Sequence, residues 1–138
     1  MPSTALSVLA LLAAQAGTSP APSALAHLEG RWSIVDPATG ATRQACSQGQ
    51  SFALTPDRRN VTLTDAAAPA RRPSRYLVVH SEPERVLLFI EGETRRTPTG
   101  DPVLWWVQFD GPDRFQWRRY DWPRDARTVI WQRCRANG

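Results

Sequence analysis

The residues best able to recognise a ligand lie in the stretch "PVLWWVQFDGPDRFQWRRY", residues 102–120. If both halves are extended, side chains alternate between faces. Val103, Trp105, Val107 and Phe109 then share one face, and Leu104, Trp106 and Gln108 the other. In the second half Phe115 and Trp117 fall with Arg119, and Arg114, Gln116, Arg118 and Tyr120 fall opposite. The richer apolar set must point inward. Trp105, Trp117 and Tyr76 could then line an internal site for a small apolar or anionic amphipathic molecule. Arg119 on that face would either hold the anionic headgroup, pair with an internal carboxylate or emerge at the rim, because an unpaired buried charge is very costly. Trp106, Arg118 and Tyr120 form an outer ledge with cation–π chemistry. That ledge reads as a contact patch for a protein or glycan, or as a ladder of cross-strand pairs that steadies the hairpin.

Catalytic chemistry finds few residues. The histidines are His27 and His80, and no His-x-x-x-His or Cys-rich cluster offers recognisable metal spacing. No Ser stands in a Gly-x-Ser-x-Gly setting, and no Gly-rich phosphate loop appears. Glu91 and Glu93 are two apart, so a strand would put both on one face; near a loop they read as a solvated edge rather than an acid–base pair. His80 falls on the face of Tyr76 and Val78 and reads as a structural histidine. The expectation is a chain that is not an enzyme and carries no metal or cofactor.

The elements that position these residues are strands. After residue 27 no segment sustains a 3.6-residue apolar period. Short runs rich in Val, Ile, Thr and aromatic residues recur between Pro, Gly and Asp punctuation. Eight strands are expected, near 30–36, 49–55, 60–65, 74–81, 85–91, 102–110, 113–120 and 127–135. "DPATG", "TPDRRN", "SEPE" and "DGPD" supply the turns between them. "DAAAPARRP" (65–73) and "GETRRTPTGDP" (92–102) are long polar loops. Consecutive strands without crossover helices give an all-β antiparallel up-and-down meander, which eight strands can close into a small barrel. "YLVVH" and "RVLLFI" are apolar on both faces, so a loop, a second copy of the chain or a partner must cover the outer one. A homodimer through the 74–91 hairpin is one way to do so.

Compartment follows from the ends of the charge pattern. The first 26 residues carry no charged side chain, and residues 5–16 form an apolar run too short to span a bilayer. With the Pro/Ser/Ala stretch after it, this reads as a secretory signal peptide cut after Ala16, Ala24 or Ala26. Residues 1–26 are then leader, and 27–138 a single exported domain, periplasmic or secreted. No Cys lies near the junction, so no stable membrane anchor is expected. Cys46 and Cys134, an even pair in an exported domain, read as one disulfide. All 17 basic residues are Arg, and the formal net charge is +4. Export argues against nucleic acid as the partner of this charge. Anionic envelope polymers, lipid headgroups or an acidic envelope or extracellular protein fit better.

The stretch "HLEGRW" adds a resemblance. An exported all-β chain that opens on Gly-x-Trp, here Gly30 and Trp32, resembles the lipocalins and the wider calycin group. The resemblance implies that Trp32 plugs one end of an eight-stranded barrel and that an Arg from the last strand, Arg133 or Arg127, packs over its indole. The chain is also similar in size and pattern to small exported bacterial metallopeptidase inhibitors. Both imply a binding role. Either a lipocalin-like barrel holds a small molecule through Tyr76, Trp105, Trp117 and Arg119, or a protein-binding module, a hydrolase inhibitor among them, acts through loops and the outer face around Trp106, Arg118 and Tyr120.

Overall fold

The computed structural model describes residues 23–135; the apolar run at 5–16 lies outside them. Eight strands follow in order: β1 Gly30–Val35, β2 Gln50–Leu54, β3 Asn60–Asp65, β4 Ser74–Ser81, β5 Arg85–Ile90, β6 Trp105–Phe109, β7 Arg114–Arg119 and β8 Ile130–Arg133. Each pairs antiparallel with its chain neighbour, and β8 returns to β1 to close the barrel. The expected eight-stranded antiparallel meander is the fold, and closure leaves no unpaired sheet edge. Two strands are shorter than the sequence pattern suggested. Residues 102–104 belong to a loop in which Pro102 bridges to Arg96, and 127–129 belong to the β7–β8 loop. Among the described residues, no helix is long and apolar enough to cross a membrane.

Alternation explains which side chains fill the centre. Trp32, Phe52, Val61, Tyr76, Val86, Leu88, Val107, Phe109, Phe115 and Trp131 form one buried cluster. At the β1–β2–β8 side a second layer lies outside the barrel wall. The chain after β1 folds back so that Val35 bridges to Thr42 and the Arg43 amide donates to the Ile34 carbonyl. This return buries the outward-facing Ser33 and Val35. It also brings a 3-10 turn, Cys46–Gln48, beside the end of β8, where Cys46 and Cys134 form a disulfide. Gly49 follows this turn because a Cβ there would sit 2.2 Å from the Trp32 carbonyl oxygen. The disulfide expected from cysteine count is present, and it fastens the return loop across the β1–β8 seam.

One end of the barrel is closed by a short helix, α1, Ala24–Leu28. The Ser23 hydroxyl caps it by accepting from the Leu25 amide, and hydrogen bonds to the Ser81 hydroxyl. The Ala24 amide donates to the Glu82 carbonyl at the β4–β5 turn. Ala24, Leu25 and Leu28 are buried in the same cluster as Trp32. Among the described residues, the core therefore includes side chains on both sides of residue 27, where the sequence reading started the domain. Helix α1 escaped the sequence reading because five residues of small and apolar type show no helical period and merge with the Ala-rich stretch before them.

Candidate functional site

The inward face carries a continuous series of aromatic rings. Trp32 meets Phe115 with ring centres 4.7 Å apart, Phe115 meets Phe52 at 5.8 Å, and Phe52 meets Trp117 at 5.9 Å. Trp117 then touches Tyr76 at 5.6 Å and Trp105 at 6.3 Å, and Trp105 meets Trp122 of the β7–β8 loop at 5.6 Å. Most contacts are edge-to-face or tilted, the arrangement that aromatic quadrupoles favour. Rings thus run from the α1 end to the opposite mouth. Tyr76, Trp105, Trp117 and Arg119, the proposed internal site, do come together at that mouth, but against one another and beneath Trp122.

Arg119 stands at the rim with its charge engaged. Its Nε and Nη2 donate to the two Asp121 carboxylate oxygens at 3.0 and 3.2 Å. Of the alternatives the sequence left open for Arg119, the structure combines emergence at the rim with a carboxylate partner, Asp121. Glu93 lies near enough that the positive charge of Arg119 lowers its pKa and its own negative charge raises that of Tyr76. An anionic headgroup at Arg119 would have to displace one carboxylate and approach another. Burial is the main cause that pushes the Tyr76 hydroxyl up to about 12.

Glu91 and Glu93 do not act as a pair. Glu91 faces Arg75 at 3.4 Å, while Glu93 is held by Arg95 through two bonds of 2.7 Å. Glu93 is pulled down to about 2, chiefly by the Arg95 hydrogen bonds. His80 also departs from expectation. A bulge between Val78 and His80 shifts the register, so that Val78 stands opposite inward Leu88 but His80 opposite outward Leu87. His80 leaves the Tyr76 face, its side chain 60% exposed, and lies 3.8 Å from Glu82.

The outer face of β5, β6 and β7 carries an open groove of about 790 Å³. At one end are Glu82 and Glu84 from the β4–β5 turn and Arg85 at the start of β5; in the middle Trp106, Gln108 and Arg118; at the other end Tyr120, Trp122 and Arg124. A second groove of about 360 Å³ adjoins it, sharing Gln108 and Arg118 and extending over Arg114 and Gln116. Strand register explains the row. Leu87, Trp106 and Arg118 are consecutive partners across three strands, as are Arg85, Gln108 and Gln116.

Trp106, Arg118 and Tyr120 do lie together here, but the cation on Trp106 is Arg85. Its guanidinium carbon is 3.9 Å from the ring centre, and Tyr120 stacks beside the same indole at 6.5 Å. Leu87, Trp106's register partner, is buried on this outer face, whereas Leu77 and Val79 on β4 remain 44% and 47% exposed. Arg118 reaches the other way. One guanidinium nitrogen donates to the carbonyls of Pro123 and Ala126, fastening the β7–β8 loop to the wall. Arg85, Trp122 and Arg124 were missed as site residues. Trp122 stands beside a proline in the loop "DWPRDART", a signal that sequence reading could have used; Arg85 carries none until β5 is registered against β6.

No protein-family model and no curated protein matches this chain. Among solved structures it is similar to one described as "Crystal structure of Treponema pallidum Tp0751 (Pallilysin)", at 16% identity and a TM-score of 0.43, over 96% of this chain and 97% of that one.

Proposed function

We propose that this chain is an exported, non-enzymatic binding module that takes its partner on the outer face of β5–β7. The observation that carries this reading is the contrast between the two faces. Inside, aromatic rings contact one another along the barrel and the rim cation is already paired with Asp121. Outside, a long groove offers aromatic, amide and guanidinium groups to solvent. The disulfide favours an oxidising compartment, in keeping with the leader-like run at residues 5–16. The lipocalin-like resemblance agrees with a binding barrel, but the internal site it implies has less support than the outer groove.

The test compares three readouts on the purified mature protein. Native mass spectrometry is expected to show no released small molecule, and tryptophan fluorescence to be indifferent to a panel of fatty acids and lipids. A partner retained by the wild-type chain from an envelope or culture fraction is expected to be lost by the double variant Tyr120→Ala/Arg124→Gln. A stoichiometric released ligand, or saturable fatty-acid binding unaffected by the double variant, would overturn the outer-face reading in favour of the internal one.

A further inference from the structure

We infer that the outer groove binds an acidic polysaccharide, one whose sugar rings carry carboxylate or sulfate groups. The inference rests on the outer-face reading and names the partner's chemistry. Charge sets the sign. The groove is lined by Arg85, Arg118, Arg119 and Arg124 against Glu82 and Glu84. Arg85 is paired with Glu82 and Arg119 with Asp121. Arg118 meets only carbonyl oxygens, and Arg124 has no hydrogen-bond or ion-pair partner among the described residues. Two guanidinium groups without a carboxylate therefore line the groove, Arg118 at its middle and Arg124 at the Tyr120 end, and their planar forks suit carboxylate or sulfate oxygens.

The floor supplies the groups that sugars use. Tyr120 is 59% exposed and Trp122 40% exposed. Tyr120 has its inner side braced by the Arg85–Trp106 stack, so its free side is a held platform for the C–H face of a pyranose ring. Gln108 and Gln116, cross-strand neighbours where the two grooves meet, give amide donors and acceptors for hydroxyl groups. The grooves together span the height of the barrel wall, a shape for a polymer rather than a single headgroup.

An acidic polypeptide would answer to the same charge, but the fold offers it less. Extended peptides are commonly gripped by adding a strand to an exposed sheet edge. Here every strand has two partners and no edge is free. A peptide would have to rely on side-chain pockets, and this floor is mostly polar and charged.

The experiment uses the folded mature chain, with binding measured by calorimetry or biolayer interferometry at low and physiological ionic strength. The probes are polygalacturonate, heparin as a sulfated uronate polymer, neutral dextran, and poly-glutamate as the acidic polypeptide. Polygalacturonate or heparin is expected to bind and to weaken with salt, as exposed charge pairs are screened. Tyr120→Ala/Arg124→Gln is expected to weaken it by about tenfold or more while melting like the wild type. Arg72→Gln, which removes one charge from the β3–β4 loop, a loop that lines neither groove, is expected to leave affinity unchanged. Poly-glutamate binding with the same sensitivity to the double variant would overturn the polysaccharide assignment and leave the outer-face reading standing. Binding weakened equally by Arg72→Gln reflects net charge alone and overturns it, as does dextran binding equally well or no binding of either acidic polysaccharide at low salt. The outer-face reading falls separately, by the ligand-release and lipid readouts.

Discussion

Arg133 stands opposite Trp32 across the β1–β8 seam, and its guanidinium carbon lies 4.3 Å from the centre of the indole ring. The same guanidinium donates to the carbonyls of Glu29, His27 and Pro112 and to the Asp113 carboxylate. The indole Nε1 in turn donates to the Leu28 carbonyl at 3.0 Å. Arg133 thus bridges α1, the β6–β7 turn and the Trp32 ring. Gly30 completes the unit: its φ is +127°, and a Cβ would lie 2.8 Å from Arg133 Nη1.

This arrangement predicts stability effects without any effect on partner choice. Trp32→Ala should cost about 3–5 kcal/mol, as removal of a fully buried large ring does. Arg133→Lys should destabilise too, because one ammonium cannot reproduce the planar fork that meets several acceptors. Gly30→Ala should melt earlier than the wild type, being strained at positive φ and crowded by Arg133. Urea unfolding followed by tryptophan fluorescence measures all three. A Gly30→Ala midpoint equal to wild type would refute the account of that glycine.

The disulfide closes a loop of 88 residues. The chain-entropy model values such a constraint at about 4–5 kcal/mol. Cys46→Ser/Cys134→Ser is expected to lower the unfolding midpoint sharply while leaving the barrel's far-ultraviolet spectrum recognisable below it. Thiol titration of the unreduced, denatured wild-type chain should find no free thiol.

Helix α1 makes the position of the mature N-terminus a structural matter. A chain beginning at Gly17 keeps Ser23–Leu28 whole, whereas one beginning at Leu25 or His27 loses Ser23, Ala24 and the contacts they make to Ser81 and Glu82. Under the export proposed for this chain, processing after Ala16 is expected, and intact mass of the exported protein reads it directly. Independently, chains started at Ser23 and at Glu29 can be compared by thermal melting. The shorter one, without buried Ala24, Leu25 and Leu28, should be less stable by several kcal/mol, at about 25 cal/mol per Å² of apolar surface removed from water.

Two groups set pH limits. Tyr76 keeps its proton in the folded chain up to about 12, against an ordinary value of 10.0. Between these values the unfolded chain binds fewer protons than the folded one, so stability falls as pH rises through the window. The loss is on the order of 2 kcal/mol, and Tyr76→Phe should flatten it. Glu93 works in the opposite direction. Its carboxylate is held down to about 2 by Arg95, so the stability it contributes is present above 4.5 and is lost as pH falls from there toward 2. Arg95→Ala should weaken that acid dependence. Denaturant midpoints measured across both ranges check the two signs.

Several features follow from sequence through local rules. Period-two alternation puts Trp105, Trp117 and Phe115 inside and Trp106, Gln108 and Arg118 outside, because a strand's side chains alternate whatever it packs against. Turn residues separate eight strands, short connections make them antiparallel neighbours, and an even pair of cysteines in a chain read as exported predicts their bond. Other features depend on which distant elements meet. The bulge in β4 turns His80 outward, against simple alternation. Arg85 rather than Arg118 covers Trp106, since the reach of a long side chain across strands depends on register and on what else competes for it. Arg133, rather than Arg127, covers Trp32 because closure of the barrel sets it opposite. Helix α1 is the clearest case. Its five residues have too few turns to form by propensity alone, and they hold a helix because the open end of the barrel gives Ala24, Leu25 and Leu28 an apolar surface to bury.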